Sequence, residues 1–150
     1  MSDAVVIDTN IWLDWLVFGD PGVTRLRAAV AAGRLRVMAT PVMRAELLAV
    51  LERPMIQARH GDALACLAGF DAVATIHPPA PACGLRCTDP DDQGFIDLAC
   101  HLRAGWLISK DRALLRLGRQ ARARHGLRVL TPTQFDAAYN LPPSALPESP

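Results

Sequence analysis

The sequence predicts an α/β fold in which a parallel β-sheet is covered by helices on both faces. Three observations carry this. Short apolar segments that read as buried strands alternate with longer segments of helical period. Three helix starts are marked by a capping residue followed directly by proline, at Asp20-Pro21, Thr40-Pro41 and Thr131-Pro132. The chain has 150 residues, 51% hydrophobic and 21% charged, which suits one domain with one core.

The elements follow in order. Ala4-Val5-Val6-Ile7 reads as a buried strand, and residues 10–18 as the next helix. Asp20-Pro21 opens a second helix that ends near Gly33, and residues 35–39 form the second strand. Thr40-Pro41 opens a third helix, which Arg53-Pro54 closes. Residues 55–72 are helical in one or two pieces, and 73–76 form a third strand. Residues 77–90, rich in Pro, Gly and Cys, form a loop. A helix over 92–104, a strand over 106–109, a helix over 111–124, a strand over 127–130 and a short helix from Thr131-Pro132 complete the pattern. The domain spans residues 1–139, and residues 140–150, with four prolines, read as a loose tail.

Composition narrows the function. No apolar run approaches the roughly 20 residues needed to span a bilayer, and Met1-Ser2-Asp3 lacks the basic start of a secretory signal, so a cytoplasmic location is expected. Cys83-x-x-x-Cys87 near His77 offers half a zinc site with no second pair, so reduced thiols are expected. The net charge is +1, but its distribution is uneven. Fifteen of 16 basic residues are Arg, and Lys110 is the only Lys. From Arg103 to Arg128 there are eight basic residues and one acid, Asp111, an asymmetry that suits a polyanionic partner as well as a solvated face.

Parallel sheets place their sites beyond the carboxyl ends of the strands. Four acids draw notice there, and each has a plain structural alternative. Asp8 follows the first strand and fits an N-cap. Glu46 lies among Val42, Met43, Ala49 and Val50 on the helical wheel, so it reads as buried on an apolar face. A carboxylate there needs a metal or a basic partner, and Arg53 two turns on is the basic one. Asp92, after Asp89-Pro90-Asp91, points with the stripe of Phe95, Ile96 and Ala99, while Gln93, Asp97 and His101 point away; its alternative is that it caps the helix while Asp89 and Asp91 belong to a polar loop. Asp111 opens the Arg-rich helix and also fits an N-cap. Converging carboxylates repel unless cations neutralise them, and hard oxygen ligands suit Mg²⁺ or Mn²⁺. On the Arg-rich helix, Arg112, Arg116 and Arg119 share a face opposite Leu114, Leu117 and Ala121, a geometry suited to gripping phosphates.

These residues resemble the PIN-domain family, and most of all the prokaryotic toxin components of toxin–antitoxin pairs. The resemblance lies in Val5-Val6-Ile7-Asp8-Thr9-Asn10, in Thr40 to Leu51 around Glu46, in Asp89-Pro90-Asp91-Asp92 to Ala99, and in Leu107-Ile108-Ser109-Lys110-Asp111. It covers about residues 4–135. It implies a three-layer α/β/α sandwich with a central parallel sheet and a metal-dependent endoribonuclease. Asp8, Glu46, Asp92 and Asp111 match the family's metal-holding acids. Asn10 and Ser109 match supporting positions, and Asp89 and Asp91 stand close enough to Asp92 to take the third acidic place. The last motif reads Ser-Lys-Asp where the family more often has Thr-Gly-Asp or Thr-Arg-Asp, and the hydroxyl is kept.

The implied chemistry is in-line attack of water on RNA at one or two Mg²⁺ or Mn²⁺ ions, leaving a 5′-phosphate and a 3′-hydroxyl. The implied partners are an RNA substrate bound through Arg112, Arg116 and Arg119 and a cognate antitoxin, with a homodimer allowed for. Two alternatives stand beside the toxin reading: a non-catalytic RNA-binding or protein-interaction module on the same fold, and a housekeeping RNA-processing nuclease. A phosphotransfer receiver would not need Glu46, and a haloacid-dehalogenase phosphatase would carry an aspartate where Asn10 stands.

Overall fold

The computed structural model describes residues 3–60 and 62–139. Five short strands form one parallel sheet: β1 (Asp3–Ile7), β2 (Leu35–Ala39), β3 (Ala74–Ile76), β4 (Trp106–Ile108) and β5 (Arg128–Leu130). Their order is β3-β2-β1-β4-β5, with Val5 paired to both Val37 and Trp106. β1 sits at the centre, so both its faces are covered. Ala4, Val5, Val6 and Ile7 are all buried, the continuous apolar run that such a strand requires. The chain steps outward from β1 through β2 to β3, then returns to β4 on the other side. The topological switch point therefore lies between β1 and β4, where loops diverge and leave a crevice.

Helices complete an α/β/α sandwich. They are α1 (Thr9–Leu13), α2 (Thr24–Ala31), α3 (Pro41–Leu51), α4 (Pro54–His60), α5 (Ala63–Val73), α6 (Gln93–His101), α7 (Arg112–Leu115), α8 (Gly118–His125) and α9 (Pro132–Tyr139). Thr40 caps α3, its hydroxyl accepting from the Met43 amide at 3.3 Å, with Pro41 in the first turn. α6 packs on β1, β2 and β4, while α3 and α5 pack on each other and α1 meets α3. The expected tail at 140–150 lies outside the described residues.

Several expected elements differ in detail. The first helix does not run regularly from 10 to 18. α1 continues into a π-helical turn, Asp14–Phe18, ended by Gly19 at φ +57°. Pro54 starts α4 instead of merely closing α3, as a first-turn proline can. The 92–104 helix is shorter, with a 3₁₀ turn at Pro90–Asp92 leading into α6. The 111–124 helix is broken into α7 and α8 at Arg116–Leu117, next to Gly118, a poor helix former. Arg112, Arg116 and Arg119 are all exposed, but the single helical phase expected to align them does not cross that break.

α3 carries the largest correction. Met43, Leu47, Val50 and Leu51 form its buried stripe. Val42 is 66% exposed, and Ala45, Glu46 and Ala49 are exposed as well. The apolar neighbours of Glu46 therefore belong partly to an open face and not to the core. The buried stripe is centred away from Val42, because periodicity reports where apolar residues recur and not what covers them. Leu47→Ala should cost about 2–5 kcal/mol in urea unfolding, whereas Val42→Thr should stay within about 0.5 kcal/mol.

Candidate metal centre

β1 and β4 deliver the first acids. Asp8 ends β1 at the N-cap of α1 and is 4% exposed, but its side chain makes no capping hydrogen bond. Its backbone carbonyl accepts from the Ile11 and Trp12 amides, so the helix start is supported without the carboxylate. The side chain turns instead to β4: the Ser109 hydroxyl donates to Asp8 Oδ2 at 2.6 Å. Ser109 is fully buried and also accepts from the Asp111 amide at 2.9 Å. One hydroxyl thus ties together the acids at the ends of the two central strands. Burial pushes the Asp8 carboxyl above its usual range. Ser109 and the nearby Thr9 and Asn10 amides oppose that rise, and the Asp111 charge adds to it.

Asp111 does cap α7, as its alternative reading held, with Oδ1 accepting from the Ala113 amide at 2.8 Å. Capping and site membership are compatible, because a carboxylate has a second oxygen. Asp92, 9% exposed, has a buried Oδ2 with no hydrogen-bond partner. Burial, a hydrogen bond with Asp111 and the charges of Asp111, Asp8 and Asp89 raise its carboxyl from 3.8 to about 7. Asp89 caps the 3₁₀ turn, Oδ1 accepting from the Asp91 amide at 3.0 Å. Oxygens of Asp89, Asp92 and Asp111 lie within 4.8 Å of one another.

Glu46 faces this group from α3. It makes no ion pair with Arg53; Arg44 pairs with Asp71 and Lys110 with Asp14. Although the residue as a whole is exposed, partial desolvation of its carboxyl at the cleft wall, and then the charges of Asp8 and Asp91, push that carboxyl up, with Arg53 lowering it. Asp8, Glu46, Asp92 and Asp111 line one cleft of about 610 Å³, with Asn10 and Arg53 also on its wall. Asp91 instead lines a neighbouring groove of about 370 Å³ that shares Glu46. Arg112, Arg116 and Arg119 are not on the cleft wall.

Two groups of residues escaped the sequence reading. Lys110 Nζ donates to Asp14 Oδ2 at 2.7 Å, binding the β4–α7 junction to the π-helical turn. Gln93 and Asp97, expected to point away from the buried stripe, instead face the loop before the cleft, and Asp97 is 8% exposed. Polar residues at helical spacing read as a solvated face unless the segment that covers them is known, and here an aperiodic loop covers them.

Residues 4–113 match the sequence model of the PIN domain. No curated protein matches by sequence. Among solved structures, a chain in the crystal structure of VapBC2 from Rickettsia felis bound to a DNA fragment from their promoter is similar, with a TM-score of 0.57 and 14% identity. The match covers 85% of this chain and 98% of that one, and it shows a shared fold.

The raised Asp92 carboxyl gives a signed expectation. A carboxyl that holds its proton more tightly when folded stabilises the fold below its unfolded value and loses that contribution as pH rises through its folded value. The metal-free protein should therefore lose stability between pH 3.8 and about 7, read as the urea midpoint. Asp92→Asn should flatten that slope; a slope as steep in the variant would contradict this assignment.

Proposed function

The chain belongs to the PIN-domain family, and from that premise we propose that it is a metal-dependent endoribonuclease, the toxin of a type II toxin–antitoxin pair. The observation that carries the metal is the buried, unpartnered Asp92 Oδ2 beside the carboxylates of Asp89 and Asp111. All-oxygen, clustered and anionic, this donor set fits a hard divalent cation such as Mg²⁺ or Mn²⁺. Asp8, Glu46, Asp92 and Asp111 would hold it, with Asp89 and Asp91 in support. When bound, the cation would supply charge neutralisation and a water acidified for attack on phosphorus.

The chain's own groups do the rest. Ser109 holds Asp8 and the Asp111 amide in register. Asn10, on the cleft wall, offers the substrate an amide. Arg112, Arg116 and Arg119 engage RNA phosphates outside the cleft, each guanidinium able to grip two oxygens of one phosphate. Attack by water and not by the ribose 2′-hydroxyl leaves a 5′-phosphate and a 3′-hydroxyl. The similar fold in the Rickettsia felis VapBC2 structure supports the pairing with an antitoxin. The described residues include no helix long and apolar enough to cross a membrane.

Three outcomes test this reading. Mn²⁺ should raise the melting temperature through linkage, and Mn²⁺-dependent cleavage should yield 5′-phosphate ends. Asp8→Asn should lose cleavage while remaining folded; overexpression of the wild type should arrest growth, and Asp8→Asn should relieve that arrest. Equal stabilisation by Mn²⁺ in wild type and Asp8→Asn would contradict the site.

RNA binding has its own test, made in the Asp8→Asn background so that the strand survives. Replacing Arg112, Arg116 and Arg119 with Gln should flatten the slope of log K against log salt by about 2, as expected for three single-strand phosphate contacts. An unchanged slope would remove these arginines from the RNA path.

A further inference from the structure

Residues 77–89 form no helix or strand, yet Leu85 and Cys87 within them are buried at 2% and 5% exposure. Backbone polar groups in a buried loop need partners. Two side chains of α6 provide them. Gln93 Oε1 accepts from the Cys87 amide at 2.8 Å. Gln93 Nε2 donates to the Leu85 carbonyl at 2.8 Å and to Asp97 Oδ1 at 2.9 Å. Asp97 Oδ1 also accepts from the Cys83 amide at 3.1 Å. A single primary amide thus uses its acceptor and both its donors to hold the loop at two points.

The latch lies directly upstream of the acids. Cys87 is two residues before Asp89, and Asp89 comes from this loop to bring a carboxylate oxygen within 4.8 Å of those of Asp92, which leads into α6, and Asp111, which caps α7. The separation of Asp89 from Asp92 and Asp111 therefore depends on where the loop is fastened. Glutamine suits the task chemically. Glutamate has no donor for the Leu85 carbonyl, lysine has no acceptor for the Cys87 amide, and an apolar side chain has neither. Being neutral, Gln93 also adds no further negative charge beside the carboxylates.

We propose that Gln93 is a positioning residue: by latching Cys87 and Leu85 to the first turn of α6, it fixes Asp89 against Asp92 and Asp111 and so sets the cluster's affinity for a divalent cation. This rests on the metal-dependent reading of the same cleft. Groups that orient metal-holding side chains commonly govern metal affinity by roughly 10- to 100-fold.

The test uses the full chain and Mn²⁺ alone, with two readouts: amide exchange of residues 83–89 in metal-free protein, and the Mn²⁺ concentration giving half-maximal thermal stabilisation. Gln93→Met should lose protection at the Cys87 and Asp89 amides and raise the half-saturating Mn²⁺ concentration by roughly 10- to 100-fold. Asp97→Asn, which keeps an oxygen acceptor for Cys83 and Gln93, should stay close to wild type. Loss of protection with an unchanged Mn²⁺ midpoint would show a purely structural latch and overturn the proposal, as would no change in either. Should Gln93→Met not accumulate folded, Gln93→Asn keeps the amide but falls one methylene short. It should move the midpoint in the same direction, and an unmoved midpoint overturns the proposal equally. Wild type unaffected by Mn²⁺ would instead refute the metal reading, and the proposal with it.

Discussion

Carboxylates held together away from bulk water repel one another, and much of the architecture around the β1–β4 junction follows from keeping them there. Two unit charges about 5 Å apart repel by roughly 3 kcal/mol at an effective dielectric near 20. Keeping a proton on an ordinary aspartate at neutral pH costs about 4 kcal/mol. Burial weighs most at Asp92, and together with its hydrogen bond to Asp111 and the charges of Asp111, Asp8 and Asp89 it raises the carboxyl to about 7. The fold does not relieve this by pairing the acids with basic side chains. Lys110 goes to Asp14, and Arg44 goes to Asp71. The repulsion of like charge is left in the cleft, where a bound cation would relieve it.

What holds the acids in place is neutral. Ser109 serves Asp8 with its proton and the Asp111 amide with its lone pair, and Gln93 holds the loop that carries Asp89. Such groups fix geometry without altering the charge of the site. Rigid strands supply the rest: Asp8 and Ser109 stand directly beyond β1 and β4, whose parallel register aligns Ile7 with Ile108. Glu46 comes from a different layer, on a helix whose cap and proline set its start after β2. The cleft is the space left where these layers diverge.

The sheet was legible because short, fully buried strands write continuous apolar runs into the sequence, as Ala4 to Ile7 and Trp106 to Ile108 do. That Asp8 and Asp111 stand beyond β1 and β4 follows from their positions in the sequence. Other features depend on contacts far apart in the chain and leave little local trace. Helical period places Glu46 on α3 but does not show that one of its flanks is open, since Val42 and Val50 are equally apolar whether they face the interior or a cleft. Asp97 reads as a surface residue until the loop from Cys83 to Cys87 is laid over it. The break between α7 and α8 is marked by Gly118, yet one glycine within an Arg-rich helical pattern does not announce a break.

The commitment of Lys110 to Asp14 has a consequence for how the surface behaves. With its one lysine engaged by Asp14, the cationic side chains of the exterior are otherwise guanidinium. Guanidinium groups keep their charge at any pH a folded protein survives. The positive charge of this exterior is therefore insensitive to alkalinity and to reagents that neutralise amines. An acylating reagent directed at lysine side chains has one target, and its first effect would be to strand the Asp14 carboxylate at the π-helical turn and free the β4–α7 junction.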